Sequence, residues 1–245
     1  MAALLDYGLR VAPALALVAA ALVLLRPGKT GRVVLYILTF ILMRDALTPA
    51  ALWELGTTNG VPWIRLFPSR PFLLAMAGAS LLAAGALVVL DRANSQGVAF
   101  LHRGRAGQGW RAALLGLAVV LAPFWPAYAR IALEDRGGPV DPGLLLPLML
   151  FALGGNFLEE LLFRGFVYNL LKRRDPDVRA GVASGFVFAL CHVFLATTVT
   201  AAGAPLLLFT LWEGVICGVV GARHGVLPAT IVHGGAIFAL AAGLF

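Results

Sequence analysis

Long apolar runs separated by short polar turns set the pattern of this chain. A membrane-crossing helix needs roughly 20 mostly apolar residues. Eight stretches approach that length: 11–25, 33–52, 72–90, 112–133, 144–171, 180–198, 205–222 and 227–244. The pattern predicts an all-α fold, a polytopic membrane bundle of about eight transmembrane helices. Residues 1–245 read as a single integral membrane domain, with N-terminal spans in 1–142 and a chemistry-bearing core in 143–245. The second stretch is the weakest, because Arg44 and Asp45 interrupt it, and it is expected to be short or re-entrant. The first reads as a retained anchor rather than a cleaved signal. Its n-region is thin and a basic turn (Arg26, Lys29, Arg32) follows directly.

Composition agrees. Hydrophobic residues make up 60% of the chain and charged ones 13%, against about 45–50% and 25% in soluble domains. The net charge of +7 could point to nucleic acid, but the basic residues cluster between apolar runs. Arg26, Lys29 and Arg32, then Arg92, Arg103, Arg105 and Arg111, then Lys172, Arg173, Arg174 and Arg179, then Arg223 fall on alternate loops. The positive-inside rule places those loops in the cytoplasm and both termini outside, as in a bacterial-type cytoplasmic membrane. Cys191 and Cys217 sit in apolar runs and read as buried free thiols. Trp53, Trp63, Trp110 and Trp125 suit interfacial belts.

The chemistry concentrates in Glu159-Glu160-Leu161-Leu162-Phe163-Arg164, inside the fifth apolar stretch. A charge at the centre of a membrane helix costs about 2.5–3.5 kcal/mol on insertion scales, so three in six residues mark a functional site facing the protein interior. Glu160 and Arg164 stand four apart and stack on one helical face, with the carboxylate first, the favoured order. Glu159 points about 100° away and is left as the reactive carboxylate. Asn156 can join this face. At 1.5 Å per residue, Glu159 lies about 16 Å from the basic end of its span, His192 about 18 Å into the next and His233 about 9 Å into the last. With ordinary helix tilt the three can share one level in the cytoplasmic half. A glutamate with one or two histidines around a cavity can activate water, directly or through a metal. The HExxH zinc pattern is absent. Glu213, within the seventh stretch, should be paired or wet, neutralising Arg164 or lining the cavity. His102 and His224 read as solvated loop or interfacial groups.

These residues resemble the CAAX-protease and bacteriocin-processing (CPBP, or Abi) family of intramembrane proteases. Glu159-Glu160-Leu-Leu-Phe-Arg164 matches its EExxxR motif, Phe188-Ala-Leu-Cys-His192 its FxxxH motif, and Arg223 to His233 looks like the helix of its third motif. The resemblance covers roughly 144–244. It implies a cytoplasm-facing intramembrane cavity and peptide-bond hydrolysis. Glu159 and His192 would activate water, His233 would hold the oxyanion, and Glu160 and Arg164 would support them. Its substrates are membrane-anchored or lipidated proteins, and C-terminal processing is the expected task. No cofactor is required on the preferred glutamate reading. A divalent metal such as zinc, if one binds, would draw on Glu159, His192 and His233.

One position departs from the family. Its third motif commonly reads HxxxN, the asparagine sharing the oxyanion site, whereas Ile237 stands four residues after His233. Losing one oxyanion donor typically costs about 10²–10³-fold in rate. Asn156 and Thr230 are candidates to replace it by helical position. Two other readings compete: an inactive scaffold on the same fold, and an ion- or proton-coupled transporter using the glutamates and Arg164. No paired half-sequences of the inverted-repeat kind favour the second.

Overall fold

A computed structural model describes residues 2–47, 52–66, 69–91, 101–173, 176–200 and 202–244. The basic residues Arg92 and Arg174, and 48–51 of the second apolar stretch, lie outside the described residues. Among the described residues, the regular structure is helical apart from one hairpin. Helices α1 (Ala2–Leu24) and α2 (Lys29–Leu47) pack on each other. Strands β1 (Trp53–Thr58) and β2 (Val61–Leu66) follow, then α3 (Arg70–Leu90), α4 (Ala106–Leu121) and the short α5 (Phe124–Tyr128). The C-terminal half consists of α6 (Leu145–Glu160), α7 (Val178–Leu190), α8 (Gly203–His224) and α9 (Val226–Ala241). Helix α6 continues through a π-helical turn, Leu161–Val167, into Tyr168–Leu171.

Among the described residues, five helical segments are long and apolar enough to cross a membrane: Leu5–Leu24, Arg70–Leu90, Pro142–Leu171, Val178–Val199 and Gly203–His224. Two more, Gly107–Leu121 and Val226–Ala241, are apolar but shorter. The differences have local causes. Pro123 and Pro126 fall where the fourth stretch would have continued, and the helix breaks there into α4 and α5. The second stretch ends as a helix at Leu47. The chain then turns back as a hairpin whose strands pair from Trp53 with Leu66 to Thr58 with Val61. Its two-residue turn, Asn59-Gly60, has φ of 52° and 76°, the left-handed pair that a type I′ turn requires.

Arg65 seats the hairpin. It is buried, and donates to the carbonyls of Leu240 (3.1 Å) and Ala241 (2.8 Å) at the end of α9, and to Gly138 (2.8 Å). A guanidinium there meets carbonyls that a helix end leaves without partners. Trp53 and Trp63 thereby line the cavity described below. Trp110 and Trp125 remain exposed.

The tightest helix pair is α7 with α8. Gly181 and Gly185 face Gly218 and Gly214, and a Cβ at Gly181 or Gly218 would collide with the carbonyl oxygen of the other. Such small-residue stripes let membrane helices approach closely enough for dense packing. Gly218→Ala is expected to force the pair apart and cost about 1–3 kcal/mol, as overpacking does. Chemical unfolding in micelles measures this, and unchanged stability would contradict the contact. The outward faces stay apolar, with Leu17, Leu82, Leu90 and Leu208 among the exposed side chains, as lipid contact demands.

Candidate active site

Helices α1, α2, α3, α5, α6, α8 and α9, the segment following α7 and the hairpin line a cavity of about 170 Å³. Its polar wall is formed by Arg44, Asn156, Glu159, His192, Glu213 and His233. Apolar groups, including the hairpin tryptophans and Ile237, complete it. The three levels estimated from helix rise converge here. Glu159 Oε1 lies 3.8 Å from His192 Nε2, and Glu159 Oε2 lies 3.8 Å from His233 Nε2.

The two adjacent glutamates face different partners. Glu160 is fully buried, and its Oε1 sits 3.1 Å from Arg164 Nη1 and accepts from His233 Nδ1 at 2.9 Å. Arg164 also donates from Nη2 to the Gly214 carbonyl at 2.7 Å, and its guanidinium stacks 4.7 Å from the centre of the Phe188 ring. Gly221 leaves room for it, since a Cβ there would stand 2.7 Å from Arg164 Cγ. So Glu160 and Arg164 lock α6, α8 and α9 together and orient His233. Glu159 is also buried, yet its Oε1 takes no hydrogen bond. A separation of 3.8 Å is too long for a direct bond and within reach of a single bridging water.

The hydrogen bonds fix the tautomer of His192. The Phe188 carbonyl can only accept, so His192 Nδ1 carries the hydrogen of that 2.8 Å bond. A guanidinium can only donate, so Nε2 accepts from Arg44 Nη1 at 3.0 Å. His192 is thus a neutral imidazole whose lone pair points at the cavity. His233 presents Nε2 to Glu213 Oε2 at 3.5 Å. Glu213 therefore faces His233 across the cavity, and its Oε1 takes no hydrogen bond.

The two sequence candidates for a substitute oxyanion donor fare differently. Asn156 lines the cavity, with Nδ2 donating back to the Ala152 carbonyl at 2.6 Å. Thr230 does not line it, and its hydroxyl is spent on the Val226 carbonyl at 3.0 Å. His102 and His224 do not line it either. The group that sequence reasoning missed is Arg44. It stands as a charge inside an apolar stretch, the same signal that marks Glu159, and in the sequence alone it interrupts a span without showing a partner.

Among the described residues, no group of three or more His, Cys, Asp or Glu is arranged to hold a metal ion. The His192 nitrogen that would bind it already accepts from Arg44, whose positive charge opposes a dication at that spot.

The fold and this pocket together define a helical membrane protein with a buried carboxylate–imidazole centre. Residues 141–239 match the family described as type II CAAX prenyl endopeptidase Rce1-like. Through this segment the chain is similar to the CAAX proteases (CPBP), a family of proteases, and its long apolar helices mark it as an integral membrane protein. No curated protein and no solved structure matches it.

Proposed function

We propose that the chain is an intramembrane endopeptidase that trims a terminus of a membrane-anchored or lipidated protein, with Glu159 and His192 activating the attacking water. The observation that carries this reading is the Glu159 carboxylate. It is buried against the cavity with Oε1 free of hydrogen bonds, and it faces two imidazole nitrogens at 3.8 Å. An ionised group is costly to keep this way without a use for it. Water held between Glu159 and the neutral His192 gives up a proton to the carboxylate as it attacks the peptide carbonyl. His233, oriented by Glu160, turns Nε2 toward the oxyanion. The carboxylate then returns the proton to the departing amine.

On this reading the cavity opens in the cytoplasmic half of a membrane crossed about eight times, the side that the basic loops favour, with α2, α4 and α9 supplying shorter or partial crossings. The apolar wall and the hairpin suit a substrate entering from lipid. The reaction needs no metal on this reading. Preincubation with a strong zinc chelator is expected to leave the rate unchanged, and loss of activity restored by zinc would overturn that part.

The deciding experiment compares the terminal peptides of membrane proteins in cells carrying the wild type or Glu159→Gln at equal expression. Particular C-termini should stay untrimmed in the variant. Identical termini, in cells that demonstrably need the wild-type protein, would leave the scaffold reading in place.

A further inference from the structure

We propose that Arg44 is a catalytic residue of this site, supplying through its guanidinium the oxyanion donor that Ile237 cannot; the assignment rests on the peptidase reading above. Arg44 comes from α2, far in sequence from the other polar groups, and its side chain is buried on the cavity wall. Two of its arms are tied down. Nε donates to Asp45 Oδ1 at 2.8 Å, and Nη2 donates to the Cys191 carbonyl at 3.0 Å. Those contacts suffice to hold α2 against the end of α7. The third arm does something else. Nη1 reaches between the two groups that flank the water site, 3.0 Å from His192 Nε2 and 3.8 Å from Glu159 Oε1.

That arm blocks the reaction in its present position and serves it in the next. The lone pair on His192 Nε2 must accept from water, and here it accepts from Arg44. Water settling between Glu159 and His192 takes over that lone pair. A small swing of the guanidinium then releases Nη1, with the Nε and Nη2 contacts limiting how far it travels. Its freed N–H becomes available to the carbonyl under attack. The step balances. The water oxygen bonds to the carbonyl carbon as one water proton passes to Glu159. The carbonyl π pair moves onto oxygen, where Arg44 Nη1–H and the Nε2–H of a doubly protonated His233, its Nδ1–H held by Glu160, share the negative charge. Collapse expels the amine, which takes the proton from Glu159.

The need for such a donor follows from Ile237, which lines the same cavity one helical turn beyond His233 and has no N–H or O–H to offer. A pinned, charged donor in a water-poor pocket is worth more than in solvent.

The test uses the full chain in liposomes and a quenched peptide ending in farnesyl-cysteine, two aliphatic residues and a variable residue. Arg44→Gln is expected to lower kcat about 10²-fold or more, with KM little changed. Adding Ile237→Asn to Arg44→Gln should restore kcat by about tenfold, since the amide then stands where the family places one; a merely structural arginine would show no such rescue. Where Arg44→Gln does not fold, Arg44→Lys keeps the charge and should still lose kcat without KM. Full kcat in a folded Arg44 variant, a change in KM alone, or no rescue by Ile237→Asn overturns the assignment and leaves the peptidase reading standing if Glu159→Gln is inactive. Wild-type protein that leaves the peptide intact, like Glu159→Gln, overturns the assignment together with the peptidase reading for prenylated termini.

Discussion

Purified Glu159→Gln is expected to hydrolyse substrate about 10²–10⁴-fold more slowly than the wild type, the range over which positioned general bases act. The substitution keeps the size and shape of the side chain. Oε1 takes no hydrogen bond, and its charged neighbours stand at 3.8 Å, so little of the packing depends on it. Stability should therefore change far less than rate. Single-turnover cleavage in liposomes, alongside unfolding in micelles, separates the two. A variant retaining a tenth of the wild-type rate would remove Glu159 from the role of base.

Arg164→Met is expected to produce the largest loss of stability, about 3–5 kcal/mol, because it strands the buried charge of Glu160. The guanidinium sits 3.1 Å from that carboxylate, and its bond to the Gly214 carbonyl is lost as well. Replacing both partners, as Arg164→Met with Glu160→Leu, removes the stranded charge and should recover much of the stability. Activity should not return, because His233 Nδ1 then has no carboxylate to orient it. Denaturant titration of the single and double variants checks this. A double variant no more stable than Arg164→Met would show that the pair is not the source of the loss.

Much of the site was legible in the sequence because helices have a fixed rise and a fixed angular step. The spacing from Glu160 to Arg164 brings them together even though the chain passes into a π turn after Glu160. Rise alone put Glu159, His192 and His233 at compatible depths. What spacing could not supply was contact between segments distant in the chain. Arg44 meets His192 across 148 residues, and no periodicity reports that. The hairpin was hidden for another reason. Trp53 and Trp63 read as membrane interface by type alone, and the pairing of the two strands around Asn59-Gly60 is not something hydropathy reports. The glycines of α7 and α8 likewise carried a close-packing pattern, Gly181 to Gly185 and Gly214 to Gly218, that hydropathy does not register.

The segment matched to the CAAX proteases begins at residue 141, whereas the cation touching His192 comes from residue 44. The polar cluster is thus shared between two parts of the chain, only one of which the family match covers. On the role proposed for Arg44, exchanging the N-terminal half for one lacking this arginine is expected to preserve the three motifs and lower the rate they support. Two such proteins could agree at every matched position and still differ in turnover.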